Sequence, residues 1–354
     1  MIGKRIGHII GVALLAVFVG LLSPCWGNTM APAPHLVTLK DGCRYGFPPH
    51  VEKRGLSFGE QRIPLEREDV RERILKEINY LLLDKRSLLL LWLTRSDALR
   101  PLVMRILRTY SSYGFPEEFL YLAGIESSYD SRARSSAGAY GYWQFIKPTA
   151  VSASGAPAEL NWVMTVNHWK DERGDLVKST HAAARYLIWL NRERRISLEG
   201  QPEQKGFNDW LLSAAAYNAG PGRIVERLNA YRATSYWDVA LPPETEAYVP
   251  RLIALCLISS HRKFYGVDVE RVTPLAFETV EKIRLKKDLS FASLAQLLGT
   301  TPRQIGWLNS QISPEKGVFP AQQERKPIEH TIHIPQGTKS RLLAGLRANG
   351  YTAK

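Results

Sequence analysis

The chain has 354 residues, enough for one large domain or two smaller ones, and its 45% apolar, 23% charged and 10% aromatic residues are typical of a globular protein. Its formal net charge of +13 suits a nucleic acid, an anionic membrane surface or a cell-wall polymer as partner. The sequence contains no zinc finger, no RNP-type aromatic motif and no basic coiled coil, and these absences disfavour a nucleic-acid partner.

Residues 1–27 have the layout of a secretory signal peptide or an uncleaved N-terminal anchor. Two basic residues precede an apolar run from Ile6 to Leu22, which is followed by a breaker and small polar residues. Leu22-Ser-Pro-Cys25 also resembles a bacterial lipobox, with proline where a small residue is expected, so lipidation of Cys25 is a third alternative. Each alternative predicts export, and the last two predict association with a membrane.

Cys25, Cys43 and Cys256 are the three cysteines of the chain. A disulfide between Cys43 and Cys256 is one alternative in an oxidising compartment. The apolar neighbours of Cys256 predict the other alternative, in which it is a small buried hydrophobic residue.

The organisation of the chain follows from its periodicity. Residues 28–65 are rich in proline, glycine and basic residues without a sustained period, which predicts a linker or irregular lead-in. Residues 66–110 are predicted to form a helical extension, with one helix from Glu68 and another beginning at Pro101. Further helical patterns cover Ser179–Arg195, Asp209–Tyr217, Ile224–Leu228 and Glu244–Phe264. The predicted fold class is mainly α, with a small α+β unit over 275–354.

Glu126 indicates a function more directly than any other residue. It ends the nearly apolar segment Phe119–Ile125, where a carboxylate is expected to be partly dehydrated, and dehydration raises its pKa towards the range of a general acid. Glu126 lies seven residues after Phe119 and four after Leu122, so the three residues share one helix face. We expect this helix to open at Pro116.

Three blocks follow Glu126-Ser-Ser-Tyr129 in order: Gly141-Tyr-Trp-Gln144, Ala216-Tyr-Asn-Ala-Gly220 and Glu244-Thr-Glu-Ala-Tyr-Val249. The set resembles the motifs of the soluble-type (SLT) lytic transglycosylases, and among these it is most similar to the membrane-bound D type. The resemblance covers about residues 110–270. Each block alone is a weak signal, whereas the ordered set is specific.

The resemblance implies a lysozyme-like helical domain over 111–270 that acts on peptidoglycan and needs no cofactor. Glu126 would protonate the oxygen between N-acetylmuramic acid and N-acetylglucosamine, and its carboxylate would then take the proton of the muramyl C6 hydroxyl. That hydroxyl would close onto C1 and give a 1,6-anhydro product. The nucleophile belongs to the substrate, so no second carboxylate is needed, and Asp130 is expected to begin a turn.

The same resemblance implies roles for four further positions. Tyr217 matches a tyrosine that hydrogen-bonds the catalytic acid, and Gln144 matches a residue that contacts the sugar beside the cut. Ser135 is at the position of a substrate-contacting serine, with Ser136 as its competitor. Glu244 matches an acidic position that shapes the cleft, although a charge at the start of a helix is the alternative for it.

Four further residues near these positions are expected to have structural roles, and for Trp143 a role in binding sugar is the alternative. Trp143 is expected either to offer its ring to a pyranose or to fill the core. Gly138 and Gly141 are expected to permit backbone turns that other residues avoid. Asn218 is expected to brace its loop without touching sugar.

The C-terminal segment 275–354 resembles a LysM-type βααβ module, which implies binding of N-acetylglucosamine polymers. Its elements are strand patterns at Phe277–Arg284 and His330–Pro335 and helical patterns at Phe291–Leu298 and Pro302–Leu308. The stretch 310–329 is longer and more charged than in such modules, and the usual turn is replaced by Lys287-Asp-Leu-Ser290.

We expect no metal site, because the eight histidines are scattered and Asp171–Asp175 lacks the spaced oxygen ligands of a calcium loop. The leading hypothesis is a monomeric lytic transglycosylase of the bacterial envelope, in the periplasm. A goose-lysozyme-type hydrolase with the same acid is the second hypothesis, and a non-catalytic peptidoglycan-binding scaffold is the third.

Overall fold

The structure is a computed structural model that describes residues 36–39, 42–313, 315–322 and 328–351, with side chains from Arg44 onward. The predicted signal peptide or anchor at 1–27, including Cys25, lies outside the described residues. Within the described part of the chain, no helix combines the length and the apolar character needed to cross a membrane.

Helices dominate the described residues, which confirms the predicted mainly α class. The helices up to residue 260 are α1 (Pro49–Arg54), α2 (Glu68–Asn79), α3 (Arg86–Arg108), α4 (Leu122–Ser127), α5 (Lys147–Ala150), α6 (Leu176–Arg192), α7 (Trp210–Ala219), α8 (Pro221–Tyr231) and α9 (Pro243–Ser260). The later helices are α10 (Phe291–Leu298), α11 (Pro302–Leu308) and α12 (Lys339–Ala348).

The strands form antiparallel pairs. These are β1 (Leu36–Leu39) with β2 (Gly42–Tyr45), β3 (Leu56–Phe58) with β4 (Gln61–Ile63), β5 (Arg195–Ile196) with β6 (Gln204–Lys205), β7 (Phe277–Ile283) with β10 (His330–Pro335), and β8 (Leu289–Ser290) with β9 (Val318–Phe319).

The prediction that a helix begins at Pro101 is wrong. Helix α3 runs from Arg86 to Arg108 through Pro101 without a break. Residues on both sides of the proline, Leu93 and Val103, are buried in the same core, so packing continues the helix although proline cannot donate a backbone hydrogen bond.

Helix α9 also contains a proline, and the chain supplies a substitute donor there. Pro250 has no N–H for the carbonyl of Glu246, one helical turn earlier. The hydroxyl of Tyr236 donates to that carbonyl at 2.8 Å, and Arg73 donates to it at 3.4 Å. The helix therefore passes through the proline with the freed acceptor still bonded.

The segment expected to be a linker, 28–65, contributes to the core where it is described. Phe58 of β3 is 1% exposed, and its ring packs edge-on against Phe119, with ring centroids 5.1 Å apart. The backbone N–H of Gly59 donates to Glu118 Oε1 at 3.1 Å. The expectation of irregular structure is therefore wrong for this part, because Phe58 and Ile63 are buried in the same core as Phe119.

Buried apolar residues form two clusters. The first extends from Tyr45 to Val267, and the second lies within 280–351. The second cluster contains the strand–helix–helix–strand order that the sequence predicts, β7–α10–α11–β10, together with β8, β9 and α12, which the sequence analysis missed. The likeness of this C-terminal unit to a LysM module remains a prediction.

Cys256 is a free cysteine whose Sγ lies 3.8 Å from the carbonyl oxygen of Glu118. Burial raises the pKa of its thiol well above the ordinary value. The structure thus agrees with the alternative in which Cys256 packs as a small hydrophobic residue, partly buried against the core, whereas the side chain of Cys43 lies outside the described part.

Replacing Phe58 by alanine is expected to lower the free energy of unfolding by about 3–5 kcal/mol, because a buried aromatic ring is removed from a packed core. Urea denaturation measures the change. Ser57→Ala, one residue away on the exposed face of β3, is the matched control and is expected to change little. Equal free energies of unfolding for the two variants would show that the β3–β4 hairpin does not contribute to the stability of the core.

Candidate functional site

Glu126 lies in the last turn of a short buried helix. The segment opens after Pro116, as predicted, but its first turn, Glu117–Tyr121, is a 3-10 helix that leads into α4. Phe119 and Leu122 are fully buried on the inner face, and Glu126, on the same face, is half-buried. The predicted placement of the carboxyl on a buried helix face is therefore confirmed.

The chain turns sharply after Glu126. Ser128 and Tyr129 both adopt left-handed backbone conformations, with φ of 54° and 56°, which non-glycine residues rarely do. Helix α3 holds this turn: Trp92 Nε1 donates to Ser128 Oγ at 2.8 Å, and Arg95 donates to the Ser128 carbonyl at 2.7 Å. These bonds fix the end of α4 and with it the direction of the Glu126 side chain.

The pKa of Glu126 is raised to about 7, chiefly because burial disfavours the charged carboxylate. A short hydrogen bond from the hydroxyl of Tyr248 to Oε1 opposes this rise, and the negative charge of Glu244 adds to it. Glu126 can therefore hold a proton near neutral pH and transfer it to a reacting group, as a general acid must.

The tyrosine that bonds to Glu126 is Tyr248, which the sequence analysis left without a role. Tyr248 is 3% exposed and lies on α9. Tyr217, which was expected to make this bond, donates instead to the carbonyl oxygen of Trp143 at 2.7 Å. The charge of Glu126 contributes to raising the pKa of Tyr217, after burial, so both tyrosines lie close to the carboxyl. The prediction that Tyr217 donates to Glu126 is thus wrong, because its acceptor is the carbonyl oxygen of Trp143.

The start of α9 is tied to the end of α7. Thr245 Oγ1 donates to Asn218 Oδ1 at 2.8 Å, so Asn218 braces its surroundings as expected. Glu244 is exposed in the first turn of α9, where a negative charge is favourable, and it also acts on Glu126 through its charge. Both alternatives for Glu244 are compatible with this position.

The loop 133–145 carries Ser135 and Gln144, and both side chains make hydrogen bonds within this loop. Gln144 has a left-handed backbone with φ of 48°, and its Nε2 donates to the carbonyls of Ala133 at 3.0 Å and Gly141 at 2.8 Å. Ser135 is exposed, and its Oγ accepts from the N–H of Ala139 at 3.0 Å. Gln144 Oε1 and the exposed Ser135 remain the parts of this loop proposed to meet substrate.

Trp143 belongs to the core. It is 1% exposed, and its Nε1 donates to Thr180 Oγ1 of α6 at 3.1 Å. A ring this buried has no face for a pyranose, so the structure decides between the two alternatives of the sequence analysis in favour of core packing.

Arg173 fixes the shape of the 133–145 loop and was missed from the sequence. It is 4% exposed, and its Nη1 donates to the carbonyls of Gly138 at 3.0 Å and Phe145 at 2.9 Å. A Cβ on Gly141, where φ is 82°, would lie 1.9 Å from the Arg173 carbonyl oxygen, so only glycine fits there. Gly138 also has a positive φ, of 78°.

The sequence analysis missed Tyr248 and Arg173, although both lie in segments that it considered. Tyr248 lies in the third of the blocks that follow Glu126, Glu244–Val249, and its place in that block is the only sequence signal for it. Arg173 stands in Asp171–Asp175, which was considered only as a cation loop. Within the described residues, no group of three or more His, Cys, Asp or Glu side chains is placed to hold a metal ion.

Residues 107–239 match the family model described as the transglycosylase SLT domain. This segment of the chain is therefore identified as a transglycosylase SLT domain. The SLT match contains Glu126, Gln144 and Tyr217, whereas Tyr248 lies beyond its end.

The chain is similar to the membrane-bound lytic murein transglycosylase D of Escherichia coli K12, with 28% identity over 238 residues. That alignment covers 66% of this chain and 48% of the relative, so the chain spans about half of the relative's length.

Two solved structures also show similarity to the SLT-domain chain. An inactive mutant of the lytic transglycosylase Slt from Pseudomonas aeruginosa is 23% identical, covers 44% of this chain and 23% of its own, and has a TM-score of 0.32. The 70 kDa soluble lytic transglycosylase of Escherichia coli is 22% identical, covers 46% and 24%, and has a TM-score of 0.30.

Glu126→Gln is expected to stabilise the protein at high pH and not at low pH. The folded pKa, about 7, exceeds the ordinary value of 4.5, so the unfolded chain ionises first as pH rises. The resulting penalty is absent below pH 4.5 and complete above pH 7, where its removal is worth up to about 3 kcal/mol. Urea denaturation at pH 4 and pH 8 measures it, with exposed Glu226→Gln on α8 as the control; equal gains at both pH values would contradict the assignment.

Tyr248→Phe is expected to raise the pKa of Glu126 above about 7, because the lost hydrogen bond favours the charged carboxylate. Tyr217→Phe, which removes a hydroxyl bonded to a backbone carbonyl, is the matched comparison and is expected to shift this pKa less. Carboxyl ¹³C chemical shifts followed over pH measure both. A larger shift in Tyr217→Phe would show that Tyr217 is the partner of the acid after all.

Proposed function

We propose that this protein is a peptidoglycan lytic transglycosylase that cleaves the β-1,4 bond between N-acetylmuramic acid and N-acetylglucosamine and forms 1,6-anhydromuramyl ends. The observation that carries the proposal is the Glu126 carboxyl with a pKa of about 7, hydrogen-bonded at one oxygen by Tyr248. The transglycosylase SLT domain matched over residues 107–239 supports it.

Glu126 acts first as the acid. Tyr248 donates to Oε1, so Oε2 is the oxygen suited to carry the proton towards the glycosidic oxygen. As the bond breaks, the leaving sugar takes this proton and positive charge develops at the muramyl C1. The new carboxylate keeps the Tyr248 hydrogen bond, which stabilises its charge.

The same carboxylate then acts as the base. It takes the proton of the muramyl C6 hydroxyl, and the C6 oxygen bonds to C1 to close the 1,6-anhydro ring. The proton returns to Glu126, no water is consumed, and the acid is regenerated for the next cleavage. One carboxyl is therefore sufficient for the reaction.

Other residues bind and shape the substrate in this proposal. Gln144 and Ser135 contact sugar groups beside the cut. The exposed Glu244 contributes a negative field, which raises the pKa of the acid and favours the cationic centre at C1. Trp143, Gly138 and Gly141 maintain the walls of the site without touching the glycan.

The second candidate is a goose-lysozyme-type muramidase that hydrolyses the same bond. It uses the same acid but needs a group that activates water. Glu244 is the residue that favours this candidate, since it is an exposed carboxylate whose charge acts on Glu126. A non-catalytic scaffold is disfavoured, because binding alone gives no reason for a dehydrated carboxyl to be paired with a buried tyrosine.

We further propose that the protein works as a monomer on glycan strands in the bacterial envelope. The similar protein from Escherichia coli is described as membrane-bound, which supports a periplasmic position with attachment through residues 1–27. The net charge of +13 would assist adsorption to anionic lipid or to stem-peptide carboxylates.

Digestion of purified cell walls followed by mass spectrometry tests the reaction. We expect fragments with 1,6-anhydromuramyl ends, which are one water lighter than reducing ends, and we expect Glu126→Gln to abolish them while the protein stays folded. Asp130→Asn, at an exposed turn carboxylate, is the control and is expected to keep activity. Reducing ends would establish the hydrolase, and unchanged turnover by Glu126→Gln would refute Glu126 as the acid.

A further inference from the structure

We infer that the C-terminal unit, defined as residues 277–351 where described, is an intramolecular positioning element for the 133–145 loop, and that His333 is the positioning residue joining them. The inference deepens the proposed function and rests on it, because the loop carries Gln144 and Ser135. It differs from the prediction of a separate glycan-binding module, which would raise local enzyme concentration without shaping the site.

Backbone hydrogen bonds join the C-terminal unit to residues 169–171, which lie in the SLT domain. The N–H of Asp171 donates to the carbonyl of Gln311 at 2.7 Å, and the N–H of Ser313 donates to the carbonyl of Trp169 at 3.2 Å. Lys170 and Ile312 form an antiparallel bridge between these two bonds. A tethered module would leave such groups to water, so this pairing indicates a fixed relation of the two segments.

Close packing reinforces the pairing. A Cβ placed on Gly174 would lie 2.9 Å from the carbonyl oxygen of Ser310 and 3.0 Å from that of Ser131. The backbones of three segments therefore meet at Gly174: the C-terminal unit, the 169–175 segment and the chain that enters the 133–145 loop. Arg132 adds a direct link, since its Nη2 donates to the carbonyl of Gly306 on α11 at 2.8 Å.

Arg173 transmits the position of this junction to the loop. The carboxylate of Asp171, whose N–H is bonded to Gln311, accepts from Arg173 Nε at 2.9 Å and from Nη2 at 2.7 Å. The remaining guanidinium nitrogen, Nη1, is thereby aimed at the carbonyls of Gly138 and Phe145. The planar fork of arginine makes this relay rigid.

His333 closes the junction from the side of the C-terminal unit. Its Nε2 lies 2.9 Å from Asp175 Oδ2, and both side chains are 2% exposed. Asp175 also accepts from the N–H of Lys178 at 2.9 Å, as the N-cap of α6. Losing His333 would leave a buried carboxylate without this partner, which is unfavourable and would loosen the segment that includes Arg173.

Asn309 and Thr279 hold His333 in place. Asn309 Nδ2 donates to the His333 carbonyl at 2.7 Å, and the His333 N–H donates to Asn309 Oδ1 at 2.8 Å. Thr279 Oγ1 lies 2.9 Å from His333 Nδ1. Asn309 is fully buried and precedes the segment that pairs with residues 169–171, so the histidine and the backbone pairing form one connected device.

Hydrogen–deuterium exchange in the full chain tests the inference without depending on catalysis. His333→Leu is expected to speed exchange of amides in 133–145, such as that of Tyr140, by about tenfold, while amides within α9 stay protected. His333→Gln, which keeps an N–H donor, is expected to restore most of the protection. Arg347→Ala, at an exposed residue of α12 in the same unit, is the control and is expected to match the wild type.

Steady-state kinetics on cell walls separates positioning from glycan binding. Arg132→Ala removes an exposed side chain that reaches the C-terminal unit, so folding is expected to persist even if His333→Leu does not fold. It is expected to lower kcat about fivefold or more with KM changed less than twofold, as for a group that acts on the reacting geometry.

Wild-type exchange in 133–145 for both His333→Leu and Arg132→Ala would overturn the inference, and so would an effect confined to KM. Loss of exchange protection together with reducing-end products would retain the positioning role and refute only the transglycosylase proposal. The two proposals therefore fail by different measurements.

Discussion

The dehydration of one carboxyl, that of Glu126, is the constraint on which the rest of the site depends. Burial at the end of α4 holds its pKa near 7, and the hydroxyl of Tyr248 limits how far that value rises. A carboxyl in water would be ionised at neutral pH and could not protonate a leaving sugar. The helices around it therefore serve two needs, since they exclude water and also fix the direction of a single side chain.

That direction is set by unusual backbone. Ser128 and Tyr129 take left-handed conformations that cost free energy, and α3 offsets the cost with hydrogen bonds from Trp92 and Arg95. The two tyrosines have different partners, because Tyr248 donates to the carboxyl of Glu126 and Tyr217 donates to the carbonyl of Trp143. Backbone strain, buried tyrosines and a dehydrated acid thus occur together, as expected where function and stability compete.

The C-terminal unit extends this arrangement. It has its own apolar cluster, yet it shares backbone hydrogen bonds with residues 169–171 and a buried contact between His333 and Asp175. Through Arg173 these contacts reach the loop that carries Gln144. These contacts are the basis of the proposal that the C-terminal unit shapes the 133–145 loop.

The sequence by itself determined the helical class, the strand–helix–helix–strand order near the C-terminus and Glu126 on a buried helix face. These follow from periodicity and from one charge in an apolar segment, which are local properties. Only the tertiary structure decided that Phe58 is core, that α3 continues through Pro101, that Tyr248 and not Tyr217 bonds the acid, and that Trp143 is buried. Each of these depends on which distant segment packs against the residue, and no spacing along the chain encodes that contact.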